Sequence, residues 1–416
     1  MKSKKSLLNI PLFCAIPFVS FLIAIRNLRS RTNGLIFISF CTLLGFAFAF
    51  SNDSADSYRV ALVFHEFDYK SLFDIYQLYI LGGAPDLYRF FVYATLKSFT
   101  ENPKLLFATF GLVFGVFWYF SLRIFKKEQG SYTGLYASLL FFIFVIINPI
   151  TNINGARFNT AIWVFFLATI NIVLYKKNRY FLLLICAPLF HFSFLYGVVV
   201  VVLFSITRRF LYSKLSVNKF LFYAFVGSFC LSWILESNII SFDFIGNIVP
   251  SDSISNKIGT YNSAEVSDIY AEREANSPFL IVSNFFQALM KITFFTIIVY
   301  FRNFMEKNGY INPSINRLMA FILFYFVFSF IIATIPSGGR FLMVGYILSL
   351  LLMIKMCDVY GLVLNKKYFL ALIPVYSFTF FFNTVFLSVT LTSSTIWYGN
   401  LFWIIYEGWD YTFIYL

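Results

Sequence analysis

LFFIFVIINPI at residues 140–150 and YGVVVVVLFSI at 196–206 decide the class of this fold, because neither run carries a single charge. Outward from them, the 416-residue chain is 60% hydrophobic and 12% charged, with 59 phenylalanines and 27 tyrosines. Its mean hydropathy is +0.78. Soluble domains carry about 25% charged residues. A water-soluble chain of this composition would have to split into several domains, and no polar linker separates any here. The expected fold is all-α: a polytopic integral membrane helical bundle.

Apolar segments near 7–25, 33–50, 105–125, 132–150, 158–175, 220–240, 279–301, 318–335, 341–355 and 368–390 supply the spans. With the stretch at 180–206 they give about 11–12 transmembrane segments of about 20 residues each. Six alternate connections, opening at Arg26, Arg123, Lys176, Arg208, Arg302 and Lys355, hold nineteen basic residues against three acids, Glu128, Glu306 and Asp358. The other side receives nine basic and sixteen acidic residues and two long loops, 51–104 and 241–278. The positive-inside rule makes the basic side cytoplasmic and the long loops external. The net charge of +13 is then topological, and the partners it implies are membrane lipids, with no nucleic acid needed.

Residues 180–206 break the alternation unless they fold back, since basic residues flank both ends and two full helices need about 40 residues. Pro188 divides the stretch, with His191 and Ser193 just beyond it. Two half-length helices meeting near the outer half of the membrane, with His191 close to the tip, satisfy the charge rule. One long tilted span is the alternative. Broken backbone at that depth survives only inside protein or beside a wet cavity. The N-terminal run behind Lys2, Lys4 and Lys5 resembles a signal peptide but lacks a small-residue cleavage site before Arg26, so it reads as a span. The aromatic tail at 391–416 reads as interfacial and external. The five cysteines fall in spans or at the basic face, away from the long loops, which argues against a disulfide framework. There is no internal repeat, phosphate-binding loop or HExxH motif, and with two histidines no metal site is expected.

The remaining polar residues stand where hydrocarbon discourages them. Arg157 sits in Asn154-Gly155-Ala156-Arg157-Phe158-Asn159 at an outer junction, and Arg340 follows Ser337-Gly338-Gly339 at another. Glycines let backbone approach a ligand, and a guanidinium suits phosphate through bidentate geometry. With His191 they form a candidate anion pocket; the alternative is that each arginine snorkels to lipid headgroups. Lys291, four residues after Gln287, lies near the middle of 279–301, where a charge needs a partner or a cavity unless the span boundary is misplaced. The first outer loop opens Asp56-Ser57-Tyr58-Arg59 and continues with Phe64, Phe67, Tyr69, Tyr76, Tyr79 and Tyr88 among Glu66, Asp68, Asp74 and Asp86. Aromatic faces beside carboxylates suit a sugar ring, whereas an interfacial aromatic belt explains most of the same residues. The acidic loop at 241–278 reads as a lid or a solvated face.

The order of Asp56-Ser57-Tyr58-Arg59, Arg157 after Asn154-Gly155, Pro188…His191-Phe192-Ser193, and Gly339-Arg340-Phe341 resembles the Wzy/EpsG family of bacterial polysaccharide polymerases. These look like members of the GT-C class of membrane glycosyltransferases, with O-antigen ligases as cousins. The resemblance runs from about 30 to 390, and the Arg157 and His191-Phe192-Ser193 elements are its most specific parts. The Asp56 element departs from the Gly-Thr-Asp form of the EpsG branch and fits the O-antigen polymerases better.

The resemblance implies an undecaprenyl-diphosphate-linked oligosaccharide as substrate at the periplasmic face of the bacterial inner membrane, no cofactor, and a chain-length-determining co-polymerase as partner. Arg157, Arg340 and Arg59 are then the diphosphate-binding candidates. His191 is the candidate general base, an imidazole being suited to proton transfer near neutral pH, with Asp56 or Glu66 in reserve. Tyr58, Asn154, Asn159, Ser193 and Lys291 are candidate substrate-binding residues. A lipid-linked oligosaccharide flippase or other secondary transporter would share the spans and buried charges, but such proteins usually show paired repeats and midplane charge. An O-antigen ligase is the nearest enzymatic alternative, and a membrane O-acyltransferase a further one.

Overall fold

The computed structural model of the chain describes residues 8–50, 56–68, 71, 73–74, 76–77, 86–212, 217–234, 278–308, 312–335, 338–361 and 366–406. Nearly all of the acidic loop at 241–278, read as a lid or a solvated face, parts of the 51–104 loop and the end of the aromatic tail lie outside the described residues. Among the described residues there is no β-strand, only isolated bridges between Phe48 and Thr392 and between Tyr212 and Val217.

The chain opens with α1 (Asn9–Ala15), α2 (Pro17–Arg26) and α3 (Arg31–Phe46). The 51–104 loop carries α4 (Asp56–Glu66) and α5 (Leu87–Lys97), and α6 (Pro103–Glu128) follows. Next come α7 (Leu135–Ile146), a 3-10 turn at Ile150–Gly155 and α8 (Ala156–Val173). The broken segment is α9 (Phe181–Phe190), a 3-10 turn at Phe192–Phe194 and α10 (Leu195–Leu211). Then come α11 (Lys219–Ile234), α12 (Pro278–Asn308), α13 (Pro313–Ile332), α14 (Leu342–Tyr360) and α15 (Lys366–Thr379). A π-helical turn at Phe380–Phe386 leads to the short α16 (Leu387–Leu391), α17 (Thr395–Tyr398) and α18 (Leu401–Tyr406).

Among the described residues, seven helical stretches are long and apolar enough to cross a bilayer, and four shorter apolar helices accompany them. The protein is thus a multi-pass membrane protein with an all-α bundle. One of the seven, Leu135–Val173, doubles back on itself. The Phe144 ring lies 5.6 Å from those of both Trp163 and Phe166, whereas a straight helix would hold Phe144 and Phe166 on the order of 30 Å apart. So α7 and α8 are neighbours, joined by the turn at Ile150–Gly155.

In lipid, helices associate through close packing and hydrogen bonds, which favours small residues at the seam. The α3–α6 contact shows this. A Cβ on Gly111 would stand 2.2 Å from the Cys41 carbonyl oxygen, and one on Gly45 2.1 Å from that of Phe107. The two backbones touch, and Gly115, one turn on, continues the seam against the Cys41 side chain.

Two expectations need correction. The run at 7–25 is not one span. Pro17 holds Ile16 in an extended conformation (φ −146°, ψ 85°), and α1 turns back along α2, so that Ser20 Oγ donates to Asn9 Oδ1 at 2.8 Å. The segment at 180–206 breaks as expected, but unequally. Its kink is at His191 (φ −151°, ψ 116°) rather than at Pro188, which stays inside the ten-residue α9. The other arm, Phe192–Leu211, has 20 residues and is itself long enough to cross, because no proline interrupts it.

Candidate functional site

The turn at Ile150–Gly155 is built by asparagines. Asn152 Nδ2 donates to Asn148 Oδ1 (2.7 Å), Asn148 Nδ2 to the Asn159 carbonyl (3.1 Å), and Asn159 Nδ2 to the carbonyls of Asn152 and Gly155 (3.1 and 3.2 Å). The two bonds from Asn159 satisfy backbone oxygens of the turn that would otherwise need partners in a membrane protein. Asn154 Oδ1 accepts the Ser57 amide at 2.7 Å and so fastens the first turn of α4 beside the start of α8.

Arg157 projects from the first turn of α8 and forms an ion pair with Asp86, the residue that precedes α5. Asp86 is buried, at 1% exposure. Its second oxygen, Oδ1, accepts the amide of Phe192 at 2.9 Å, in the break of the helix beside His191. One carboxylate therefore ties α5, α8 and the broken segment together. His191 Nδ1 lies 2.7 Å from Ser193 Oγ, and the ring meets Phe158 edge-on with centroids 5.2 Å apart. When Nδ1–H donates to Ser193, Nε2 is the proton-accepting nitrogen, the form a general base requires.

These groups face one cavity of about 260 Å³ lined by Asp56, Arg59, Arg89, Asn154, Arg157, His191 and Arg340, with Phe110 and Phe158 among its apolar walls. Asp56 and Arg59 pair at 3.4 Å on the exposed first turn of α4. Arg340 is exposed on the 3-10 turn at Gly338–Phe341, with its guanidinium 5.8 Å from the Phe158 ring centre. Arg89 lies over the rings of Phe90 (4.9 Å) and Tyr93 (5.7 Å), and its buried Nε has no hydrogen-bond partner. Burial pushes the Arg89 guanidinium below its ordinary pKa; the Arg157 charge adds to this, while Tyr93 and Asp86 oppose it. Four guanidinium groups thus meet two carboxylates, Asp56 in the lining and Asp86 behind Arg157, and the remaining positive charge favours an anion.

Of the expected site residues, Asp56, Arg59, Asn154, Arg157, His191 and Arg340 share this cavity. Ser193 touches it through His191, and Asn159 stands behind it as part of the turn. Tyr58 is half-buried on α4 and is not part of the lining. Glu66 is not part of it either, being exposed ten residues along α4, about 15 Å by helical rise. Lys291 lies elsewhere: its ammonium donates to the Ser232 carbonyl (3.2 Å) near the end of α11 and sits 4.6 Å from the Trp233 ring centre. Phe64 and Phe67 pack on Tyr93, in the core rather than on a sugar-stacking surface. The sequence does not point to Arg89, and it offers Asp86 only as one of several loop carboxylates beside aromatics. Among the described residues no cluster of three or more histidine, cysteine or carboxylate side chains is arranged to hold a metal ion.

No family model matches the chain, no curated protein matches it in sequence, and no solved structure matches it in fold.

Proposed function

We propose that the chain is a membrane glycosyltransferase that joins polyprenyl-diphosphate-linked oligosaccharides, an O-antigen or related polysaccharide polymerase working at the external face of a bacterial inner membrane. The observation that carries this reading is the convergence of four arginines and His191 on one cavity built from separate parts of the chain. A diphosphate on a lipid is the polyanion that a membrane protein would meet there. The cavity also lies toward the start of α6, near Phe110, whereas the cations Lys126 and Lys127 end that helix. By the positive-inside rule, this charge distribution supports an external position for the cavity.

In the reaction, a hydroxyl of the acceptor oligosaccharide attacks the anomeric carbon of the donor sugar. The bond from that carbon to the diphosphate oxygen breaks, and its electron pair leaves with the lipid diphosphate. Arg157, fixed by Asp86, and the exposed Arg340 stabilise the developing charge, with Arg59 and Arg89 adding to the field. His191 takes the hydroxyl proton, with Ser193 holding the ring in the required tautomer. Asp56, the carboxylate in the cavity lining, is the base in reserve.

Deleting the gene in its host and resolving the lipopolysaccharide on a gel tests the reading. A core carrying one repeat unit, with the longer ladder gone, supports a polymerase. Loss of even the single unit points instead to a flippase or a ligase, which lipid-linked units counted in the outer leaflet then separate.

A further inference from the structure

A second cavity, of about 940 Å³, opens at the opposite end of α6. Six cations line it: Arg26, Arg29, Arg123, Lys126, Lys127 and Lys177. They come from the end of α2 and the turn after it, the last turns of α6 and the connection after α8, so sequence proximity alone does not gather them. No carboxylate lines the cavity, and none of the six forms an ion pair with a carboxylate among the described residues.

The two acids nearest by position are engaged elsewhere. Glu128 ends α6 but is buried at 7% exposure, where it pairs with Lys355 and accepts the Tyr175 hydroxyl. Asp358 caps the turn after α6, accepting the amides of Ser131 and Tyr132 at 2.9 and 3.2 Å. Four of the six, Arg123, Lys126, Lys127 and Lys177, lie over aromatic rings, which position a charge without neutralising it. Lys127 sits 3.9 Å from the Tyr175 ring centre and Lys177 5.5 Å from the same ring. Lys177 reaches it because the chain reverses at Lys176, the only non-glycine residue with positive φ (57°) among the described residues. Such a conformation is uncommon for a lysine. The remaining walls include Phe117, Phe120 and Leu183 on the apolar side, together with the side-chain amides of Asn27, Gln129 and Asn171. Phe120 is exposed where a bilayer would cover it.

Topology alone requires cations near this face, not their convergence. Arg208 and Arg209 at the end of α10 satisfy the same rule and line no cavity among those described. We propose that the cavity is a binding site for an anionic glycerophospholipid, whose headgroup phosphate sits among Arg26, Arg123 and Lys127 and whose acyl chains lie along Phe117, Phe120 and Leu183. Basic pockets between membrane helices suit this class of ligand.

The test is native mass spectrometry of the full-length protein in neutral detergent, titrated with phosphatidylglycerol or phosphatidylcholine. The wild type should retain phosphatidylglycerol at least about tenfold more strongly. Arg26→Gln/Arg123→Gln/Lys127→Gln should lose that preference, and Arg208→Gln/Arg209→Gln should keep it. Unfolding midpoints measured without added lipid show whether the triple variant is folded. A measurement on the wild type alone covers the case in which it is not: phosphatidylglycerol should shield Lys127 and Lys177, but not Lys219, from amine acylation. Equal retention of the two lipids, equal loss in both variants, or no shielding overturns the proposal. So does displacement of the lipid by millimolar inorganic phosphate, which would make this a site for soluble anions.

Discussion

Asp86 and Arg157 are 71 residues apart in the chain and form an ion pair at the rim of the cavity, with the side chain of Asp86 2% exposed and that of Arg157 33% exposed. Because Asp86 also accepts the Phe192 amide, the pair fixes a cation and the helix break with one carboxylate. Removing one partner of a fully buried pair costs about 3–5 kcal/mol, and less where one partner reaches solvent. Asp86→Asn should therefore destabilise the protein by about 2 kcal/mol, read as a lower unfolding midpoint in detergent. Asp86→Ala and Arg157→Ala should be non-additive in a double-mutant cycle. Strict additivity would show that the pair carries no coupling.

His191 and Ser193 should separate by size of effect. His191→Gln removes the proposed base and should lower the transfer rate by about 10²–10⁴-fold with the unfolding midpoint unchanged. Ser193→Ala leaves the imidazole in place and disturbs only its tautomer, so its loss should be smaller. A rate assay on the purified variants compares them. Equal losses would assign both residues to structure.

Arg340 is exposed, and among the described residues it has no carboxylate ion partner. Arg340→Ala should leave the unfolding midpoint where it is and reduce turnover by about 10²-fold or more, the scale of a lost transition-state contact. If turnover is unchanged at saturating substrate, the residue contributes to binding alone.

Gly111 tests the packing of α3 on α6. With only 2.2 Å between an added methyl carbon and the Cys41 carbonyl oxygen, Gly111→Ala should force the helices apart at about 1–3 kcal/mol. Gly134→Ala is not a suitable control, since its φ of 109° is itself strained for alanine. Gly227→Ala, where nothing lies within 4 Å, is the comparison and should keep the wild-type midpoint.

Much of the site is legible in the sequence because hydrocarbon makes polar residues conspicuous. Arg157 beside Asn154-Gly155, His191 past Pro188 and Arg340 after two glycines each stand at the end of an apolar run. Asp86 and Arg89 do not, because they belong to a loop already rich in carboxylates and aromatics. Nothing local ranks Asp86 above Glu66 or Asp74, and its partners Arg157 and Phe192 lie 71 and 106 residues away. An aspartate just before a helix ordinarily reads as an N-cap, yet this one makes no such bond to α5. Lys291 is conspicuous for the same reason as Arg157, but its partner is a carbonyl 59 residues back, which hydropathy does not reveal. In the fold, the helical spans follow from the apolar runs. The hairpin of α1 on α2 does not, since it depends on Asn9 meeting Ser20.

The most direct measurement is transfer by the purified protein in liposomes supplied with a polyprenyl-diphosphate-linked oligosaccharide. The account predicts a ladder of lengthened lipid-linked products with release of polyprenyl diphosphate, and no ladder from a folded His191→Gln/Arg340→Ala double variant. A full ladder from that variant, or none from folded wild type given its own host's substrate, would contradict it.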